Sequence, residues 1–246
     1  MDSPLANIRI VLVRTTHPGN IGAAARAMKT MGLSSLRLVQ PARFPAPEAT
    51  AMASGADDLL AAASVCADLP AALAGAGVVI GTSARRRSIP WPPLTPRECA
   101  RRLLAAAAAG PVALVFGCET SGLSNEDLEL CHGLVQIPTV ESFSSLNVGA
   151  AVQVLAYEIH ALWSQAPETA AWTSDAPPAT ADQLERLYAH LREAMTQVGF
   201  YDPAKPRRLM RRLRRLFGRA GLDQHEIQIL RGFLAAVQER LGDPPR

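Results

Sequence analysis

Apolar residues along this chain form two kinds of segment. Continuous apolar runs of strand length predict buried parallel strands, at residues 8–14, 35–39, 78–82, 112–116 and 134–137. Apolar residues at helical spacing predict helices between and after them, at residues 21–31, 57–63, 69–74, 96–108 and 147–163. This alternation predicts an α/β fold, a parallel sheet with helices on both faces, and by itself favours an open doubly wound sheet.

The pattern changes after the long helix at 147–163. Residues 164–179 mix prolines with small and polar residues, which is typical of a linker. Three helices are predicted beyond it, at 182–198, 206–220 and 223–241. We therefore expect a main domain over residues 1–163, a linker over 164–179 and a small helical extension over 180–246.

Composition narrows the class of protein. The 246 residues are 48% hydrophobic, which suffices for one sizeable core and a small appendage. The sequence has no uninterrupted apolar run of about 18 residues and no signal-peptide pattern, so we expect a cytoplasmic protein without a membrane partner. The four cysteines form no C-x-x-C pair and the histidines are scattered, which argues against a metal site or disulfides and predicts mostly buried free thiols.

Charge is distributed unevenly along the chain. Residues 1–179 carry a net charge of −2 and residues 180–246 a net charge of +5. In the predicted helix at 206–220, an apolar stripe including Leu213 and Phe217 would dock while the arginines face outward. Such a face can hold nucleic-acid phosphates through Arg211, Arg212 and Arg215. A solvated helix surface explains the same charges, so both interpretations stand.

Two loops follow predicted strands and carry the candidate chemistry. Residues 117–123 read G-C-E-T-S-G-L, and residues 137–147 begin with I-P and end with S-S-L-N. Ligands bind at the carboxyl ends of parallel strands, where glycines let the backbone approach them closely. Neither loop is a G-x-G-x-x-G or a phosphate-binding G-x-x-x-x-G-K-[ST] sequence, so an ordinary dinucleotide or triphosphate site is not indicated and another adenosine-containing ligand is left open.

These loops combine with an earlier segment into three ordered motifs. N-x-G-x-x-x-R at residues 20–26, G-x-E-x-x-G-L at 117–123, and I-P followed by S-S-L-N at 137–147 resemble the SpoU branch of the SPOUT RNA 2'-O-methyltransferases. G-T-S-A-R at 81–85, L-R-R-L-F at 213–217 and I-L-R-G at 229–232 resemble a bacterial subgroup that methylates tRNA. The chain departs from this pattern at Cys118, where an arginine is common.

The resemblance implies a fold, a cofactor and partners. It implies a homodimer, a trefoil knot formed by about residues 112–155, and S-adenosylmethionine bound in that knot. The implied substrate is tRNA, methylated on a ribose at anticodon-loop nucleotide 32. The implied cofactor-binding residues are Thr82, Ser83, Ala84, Gly117, Ile137, Ser144, Ser145 and Leu146. An rRNA 2'-O-methyltransferase of the same superfamily, or an RNA-binding relative without turnover, are the alternatives.

The resemblance also implies a polar catalytic set, made of Asn20, Arg26, Glu119, Ser145 and Asn147. Arg26 either activates the ribose hydroxyl or positions it or a phosphate, and positioning is favoured because a guanidinium deprotonates only above a pH of about 12. Asn20 is equally suited to cap a helix beginning at Ile21. Glu119 either orients Arg26 or holds a loop N–H, and Ser145 and Asn147 either touch ligands or cap the next helix. Arg85 and Arg87, on a loop beside the site, are expected to bind tRNA phosphate.

Overall fold

The computed structural model describes residues 3–84, 93–165, 176–205 and 208–242. Its six strands are β1 (Ile8–Val13), β2 (Ser35–Val39), β3 (Ser64–Cys66), β4 (Val78–Thr82), β5 (Val112–Phe116) and β6 (Gly133–Val135). They form one parallel sheet in the order β3-β2-β1-β5-β4-β6. The predicted parallel α/β architecture is confirmed, and the trefoil knot stays a prediction.

Seven helices accompany the sheet: α1 (Pro18–Thr30), α2 (Pro47–Ala53), α3 (Asp57–Ala61), α4 (Leu69–Leu73), α5 (Pro96–Ala107), α6 (Asn125–Glu129) and α7 (Val148–Gln165). The two faces of the sheet support separate apolar clusters, because successive strand residues point to opposite sides. In β1, Ile10 and Leu12 belong to one cluster, whereas Val11 and Val13 belong to the other. Helices therefore cover both faces of the sheet, as predicted.

Three elements escaped the sequence analysis. Helices α2 and α6 are only 7 and 5 residues long, too short for a periodic apolar pattern to be recognised. Strand β3 lies at the edge of the sheet, and its Val65 is 59% exposed. An edge strand has one neighbour and little core contact, so it lacks the continuous apolar run by which buried strands are recognised.

The start of α1 also differs from the prediction. The helix begins at Pro18, three residues before Ile21, and Pro18 occupies its first turn. Proline suits that position because the missing N–H would have no intrahelical partner. Asn20 therefore lies inside the helix, and His17 is its N-terminal cap residue. The interpretation of Asn20 as the cap is wrong.

Three further helices follow: α8 (Ala181–Gln197), α9 (Leu209–Ala220) and α10 (Gln224–Gly242). They enclose their own apolar cluster around Leu187 and Ile227. The backbone N–H of Ala181 donates to the carbonyl oxygen of Ala76 at 2.7 Å, just before β4 begins. The helical extension thus contacts the chain at the amino-terminal end of β4, and the two ends of that five-residue strand lie about 13 Å apart.

No helix within the described ranges is long and apolar enough to cross a membrane. All four cysteines are free; Cys99 and Cys131 are buried, whereas Cys66 and Cys118 are partly exposed. The expectation that most of the thiols are buried is thus wrong for two of the four.

Candidate functional site

The carboxyl ends of β4, β5 and β6 open into a cavity of about 300 Å³. Its lining includes every residue that the sequence analysis assigned to the cofactor: Thr82, Ser83, Ala84, Gly117, Ile137, Ser144, Ser145 and Leu146. Phe116, Val135 and Val148 add apolar surface, and Cys118, Glu119 and Ser121 add polar groups. The structure therefore brings together residues that are separated by more than 60 positions in the sequence.

Gly117 allows the loop after β5 to fold back on itself. A Cβ atom at Gly117 would lie 2.1 Å from the carbonyl carbon of Gly122, which is far inside van der Waals contact. The N–H of Gly122 donates to the carbonyl oxygen of Cys118 at 2.9 Å and closes this turn. The turn presents backbone and short polar side chains to the cavity, so glycine is required here by close backbone packing.

The Glu119 carboxylate is held by the segment between β1 and α1. Its Oε2 accepts from the backbone N–H of Thr16 at 3.0 Å and from Thr16 Oγ1 at 2.8 Å. Its Oε1 accepts from Asn20 Nδ2 at 2.7 Å and from the N–H of His17 at 3.3 Å. Partial burial acts to raise the pKa of Glu119, but these hydrogen bonds outweigh it and lower the pKa to about 2. Glu119 is therefore ionised at neutral pH.

A second contact joins Asn20 to the start of α7. Asn147 Nδ2 donates to Asn20 Oδ1 at 2.8 Å. Asn147 Oδ1 accepts from the N–H of Gly149 at 2.9 Å, so the same side chain caps α7. Glu119, Asn20 and Asn147 thus form a continuous hydrogen-bonded chain, called here the polar chain, that connects the loop after β5 with α1 and α7.

Arg26 lies away from this polar chain. It is exposed on α1, outside the cavity lining, and it has no hydrogen bond or ion pair with any residue in the described ranges. The carboxylate of Glu119 is instead occupied by the segment at residues 16–20. The interpretation in which Glu119 orients Arg26 is therefore wrong within one chain, and the alternative in which it holds a loop N–H is confirmed.

The structure also distinguishes between ligand contact and helix capping for Ser145 and Asn147. Asn147 caps α7, as one interpretation predicted, and Ser145 lines the cavity without capping the helix. Thr16 was missed by the sequence analysis, although it donates two of the four hydrogen bonds to Glu119. Its position directly after β1 was the only available signal, because loops at strand ends often carry site residues.

An ion pair fixes the far end of the same loop. Arg14, the first residue after β1, pairs through its guanidinium with Asp127, which is 5% exposed. Asp127 also accepts from the N–H of Ser124 at 2.7 Å at the start of α6. Because Arg14 and Thr16 belong to one short segment, that segment holds the loop at 117–127 at both of its ends.

Cys118 lines the cavity between these two anchors. Its Sγ lies 3.0 Å from Ser121 Oγ and 3.6 Å from Thr120 Oγ1. Partial burial acts to raise its pKa, but these contacts and backbone hydrogen bonds lower the pKa to about 7. A sizeable fraction of this thiol is therefore thiolate at neutral pH.

Two of the basic residues in α9 make contacts within the protein. Arg211 Nε lies 2.6 Å from Glu129 Oε1, and Arg214 pairs with Glu185 while its guanidinium stacks 4.5 Å from the ring centre of Tyr188. The expectation that all of these arginines face outward is wrong for this pair. Arg212 is exposed and Arg215 is partly exposed, whereas Arg85 and Arg87 lie outside the described residues.

No group of three or more metal-binding side chains occurs in the part of the chain that the structure describes. The polar side chains that line the cavity carry hydroxyl, carboxylate and thiol groups.

Comparisons with known proteins agree with this geometry. Residues 7–157 match the SpoU rRNA Methylase family, and residues 182–246 match the C-terminal domain of the tRNA methyltransferase TrmJ. The chain is 54% identical to the tRNA (cytidine/uridine/adenosine-2'-O-)-methyltransferase TrmJ of Pseudomonas aeruginosa, over 96% of this chain and 95% of that one. It is 49% identical to the tRNA (cytidine/uridine-2'-O-)-methyltransferase TrmJ of Sodalis glossinidius, over 95% of this chain and 92% of that protein.

A solved structure extends the likeness to three dimensions. The crystal structure of TrmJ from Z. mobilis ZM4 superposes with a TM-score of 0.80 at 35% sequence identity, and the match covers 95% of this chain and all of that one. Since the family match spans more than half of the residues and includes the whole cavity, the chain belongs to the SpoU methylase family and carries a TrmJ-type C-terminal domain.

Proposed function

We propose that this protein is an S-adenosylmethionine-dependent tRNA 2'-O-methyltransferase that acts on the ribose of cytidine or uridine at anticodon-loop nucleotide 32. The observation that carries the proposal is the cavity bordered by the polar chain, within a protein about half identical over nearly its full length to enzymes named as tRNA 2'-O-methyltransferases. Cytoplasmic tRNA is the substrate that this function requires.

The cavity suits the cofactor in size and chemistry. A volume of about 300 Å³ is at the lower end for small-molecule sites. Val135, Ile137 and Leu146 offer an apolar slot for a purine ring, and the backbone around Gly117 and Ser144 offers groups for hydrogen bonds to polar parts of the ligand. When bound, the cofactor supplies a methyl group on a positively charged sulfur.

Glu119 has a structural task at this site. With two oxygens that accept four hydrogen bonds and a pKa near 2, it is a weak base at neutral pH. It holds the loop at 117–123 against α1, which keeps the cavity wall in place. Asn20 and Asn147 extend this support to the first turn of α7, so we assign all three to positioning.

The ribose hydroxyl must be placed in line with the methyl carbon, so that the carbon–oxygen bond forms as the sulfur–carbon bond breaks and the hydroxyl proton leaves to solvent or a nearby base. Positioning alone can supply much of the rate gain. Arg26 is the cation we assign to this task, through a hydrogen bond to the hydroxyl or an adjacent phosphate. Arg26 lies outside the lining of its own chain's cavity.

A homodimer would explain how Arg26 acts at a cavity that it does not line in its own chain. Helix α7 bears an outward row of apolar side chains, Ala150, Val154, Tyr157 and Ala161, at helical spacing. Beside it, the loop between β6 and α7 exposes Val140 by 67% and Phe143 by 80%. Exposed apolar patches of this kind mark interaction sites. We propose that a second copy docked on this face supplies its Arg26 to the first copy's cavity.

The RNA-binding surface of α9 is narrower than the sequence suggested. Arg208, Arg212, Arg215 and Arg219 lie at helical spacing on one face, called here the outward row, and none has an ion-pair partner within the described ranges. Arg211 and Arg214 hold α9 against Glu129 and Glu185 instead. We assign phosphate contacts to the outward row and to Arg85 and Arg87.

The test is methyl transfer with labelled S-adenosylmethionine and the full-length protein. Unmodified tRNA should become labelled on ribose at nucleotide 32, and the reaction should proceed in the presence of a chelator. Ribosomal RNA should not be labelled. Label on a base, label on rRNA alone, or no cofactor binding by calorimetry would each contradict the proposal.

A further inference from the structure

A second concave site lies in the helical extension, away from the cavity. A groove of about 280 Å³ runs between α8 and α10, lined by Gln183, Arg186, Gln224, Ile227, Gln228 and Arg231. Ile227, 4% exposed, belongs to the apolar cluster beneath it. The groove therefore combines two guanidinium groups and three side-chain amides around an apolar contact.

The two arginines are available to a ligand. Neither Arg186 nor Arg231 has a hydrogen bond or an ion pair with another residue in the described ranges, and both are exposed. The acidic residues near them in sequence have other partners: Glu185 pairs with Arg214, Asp182 accepts from the N–H of Gly75 at 3.1 Å, and Glu226 accepts from the N–H of Asp223 at 2.9 Å. Two unneutralised guanidiniums on one groove favour an anion.

The backbone adds to this preference. Gln183 lies in the first turn of the 17-residue α8, and Gln224 begins the 19-residue α10, so the amino-terminal ends of two long helices meet at the groove. Each helix end carries partial positive charge that favours anions. Planar guanidiniums match the oxygens of a phosphate group, and amides can accompany them at its ester oxygens or at a ribose.

We propose that the groove between α8 and α10 binds a phosphate group of the tRNA backbone, held by Arg186 and Arg231. This proposal rests on the proposed function for the identity of the RNA. It adds a contact on a different face of the extension from the outward row of α9. A free phosphate compound offers the same chemistry, so the two sources need separate measurements.

The experiment compares the double variant Arg186→Gln/Arg231→Gln with Arg192→Gln/Arg240→Gln, using the full chain. The control removes the same charge from the same two helices, outside the groove lining. We expect the groove variant alone to bind tRNA more weakly than the parent, with the slope of log affinity against log salt reduced in magnitude by about 0.9, so that its loss of affinity is about threefold greater at 0.05 M than at 0.2 M salt. Circular dichroism and cofactor affinity should match the parent.

Three outcomes decide between the sources. Equal losses of tRNA affinity in both variants, or a groove variant that keeps both its tRNA affinity and its pyrophosphate affinity, would overturn the site. In a second outcome the groove variant binds tRNA as tightly as the parent, but the parent binds pyrophosphate and the variant does not. This would overturn the RNA assignment in favour of a free phosphate ligand. If the parent transfers no methyl group to tRNA yet its tRNA affinity still depends on the groove, the proposed function fails and the groove stands.

Discussion

Asn147 and Asn20, 127 positions apart, share a 2.8 Å hydrogen bond in which the amide of Asn147 donates. The carbonyl oxygen of the Asn147 side chain meanwhile caps α7. One residue therefore fixes the start of α7 and aligns the amide that holds Glu119. The close approach of α7 to α1 makes this possible, since a Cβ atom on Gly149 would lie 2.6 Å from that of Ala23.

The two tasks of Asn147 can be separated by substitution. Asn147→Asp keeps a good capping oxygen but has no amide to donate to Asn20. We expect thermal stability within about 1 kcal/mol of the parent and a loss of kcat on the order of tenfold to a hundredfold, as positioning errors typically cause. Asn147→Ala removes both hydrogen bonds and should lower both quantities. Equal kcat for Asn147→Asp and the parent would contradict the positioning task.

Thr16 offers a second test of how Glu119 is held. Thr16→Val keeps the shape and the backbone donor but removes the hydroxyl that donates to Glu119 at 2.8 Å. We expect a loss of about 1 kcal/mol in the free energy of unfolding and a fall in kcat, because a charged acceptor loses one of its donors. Thr16→Ser should restore both. Failure of serine to rescue kcat would mean that the methyl group, and not the hydroxyl, matters.

Arg26 should act across a subunit boundary. Arg26→Ala homodimers and homodimers with Gly117→Val, which blocks the turn against Gly122, should both be inactive. Mixed heterodimers should recover about one working site of the two, because a symmetric interface places one intact cavity beside one intact Arg26. The measurement is methyl transfer by tagged, purified heterodimers. No recovery in confirmed heterodimers would place both groups in one chain.

His132 should make stability depend on pH. It is buried where the main domain meets α9, its Nδ1 accepts from the N–H of Val79 at 3.1 Å, and burial together with the charges of Arg102 and Arg214 lowers its pKa to about 4. As the pH falls, the imidazole of His132 is therefore protonated in the unfolded chain near pH 6.5, before it is protonated in the folded protein. The contribution of neutral His132 to the free energy of unfolding is fully present above pH 6.5 and is lost as the pH falls towards 4.

The difference between the folded and unfolded pKa of His132 corresponds to about 3 kcal/mol in the free energy of unfolding, since each pKa unit is about 1.4 kcal/mol. Chemical denaturation between pH 7 and 4.5 measures most of it, because the stabilising contribution of Glu119 is lost mainly below its ordinary pKa of 4.5. His132→Asn should be less stable than the parent at pH 7 and should show a smaller decrease over this range. Parallel pH profiles for the two proteins would show that His132 is not responsible.

The arginines of α9 should divide into two classes. Arg212→Gln/Arg215→Gln should weaken tRNA binding and lower the salt slope by roughly 0.9 for each phosphate that the variant no longer neutralises. Arg211→Gln should leave that slope unchanged and lower stability by up to about 1 kcal/mol, because it breaks a partly exposed ion pair with Glu129. Salt titrations of tRNA binding for both variants measure this. An equal slope change in both would mean that Arg211 also contacts RNA.

Local sequence pattern was sufficient for five of the six parallel strands and for the long helices, and the resemblance to the SpoU family supplied the cofactor residues that line the cavity. Continuous apolar runs identify strands buried on both faces, and loops after such strands necessarily meet at one edge of a parallel sheet. Thr82, Gly117 and Ile137, which the resemblance assigned to the cofactor, lie at or directly after such strand ends. The motifs that resemble the SpoU family placed Asn20, Glu119 and Asn147 in the same group.

Tertiary structure alone decided what each polar side chain contacts. Asn20 changes from a helix cap to a link between Glu119 and Asn147 because α1 begins three residues early and packs against α7. Arg211 and Arg212 are neighbours in sequence, yet α9 turns one towards Glu129 and the other to solvent. Periodicity reports which face of an element is apolar, but the partner of a polar group depends on the packing of elements distant in sequence, which no local pattern contains.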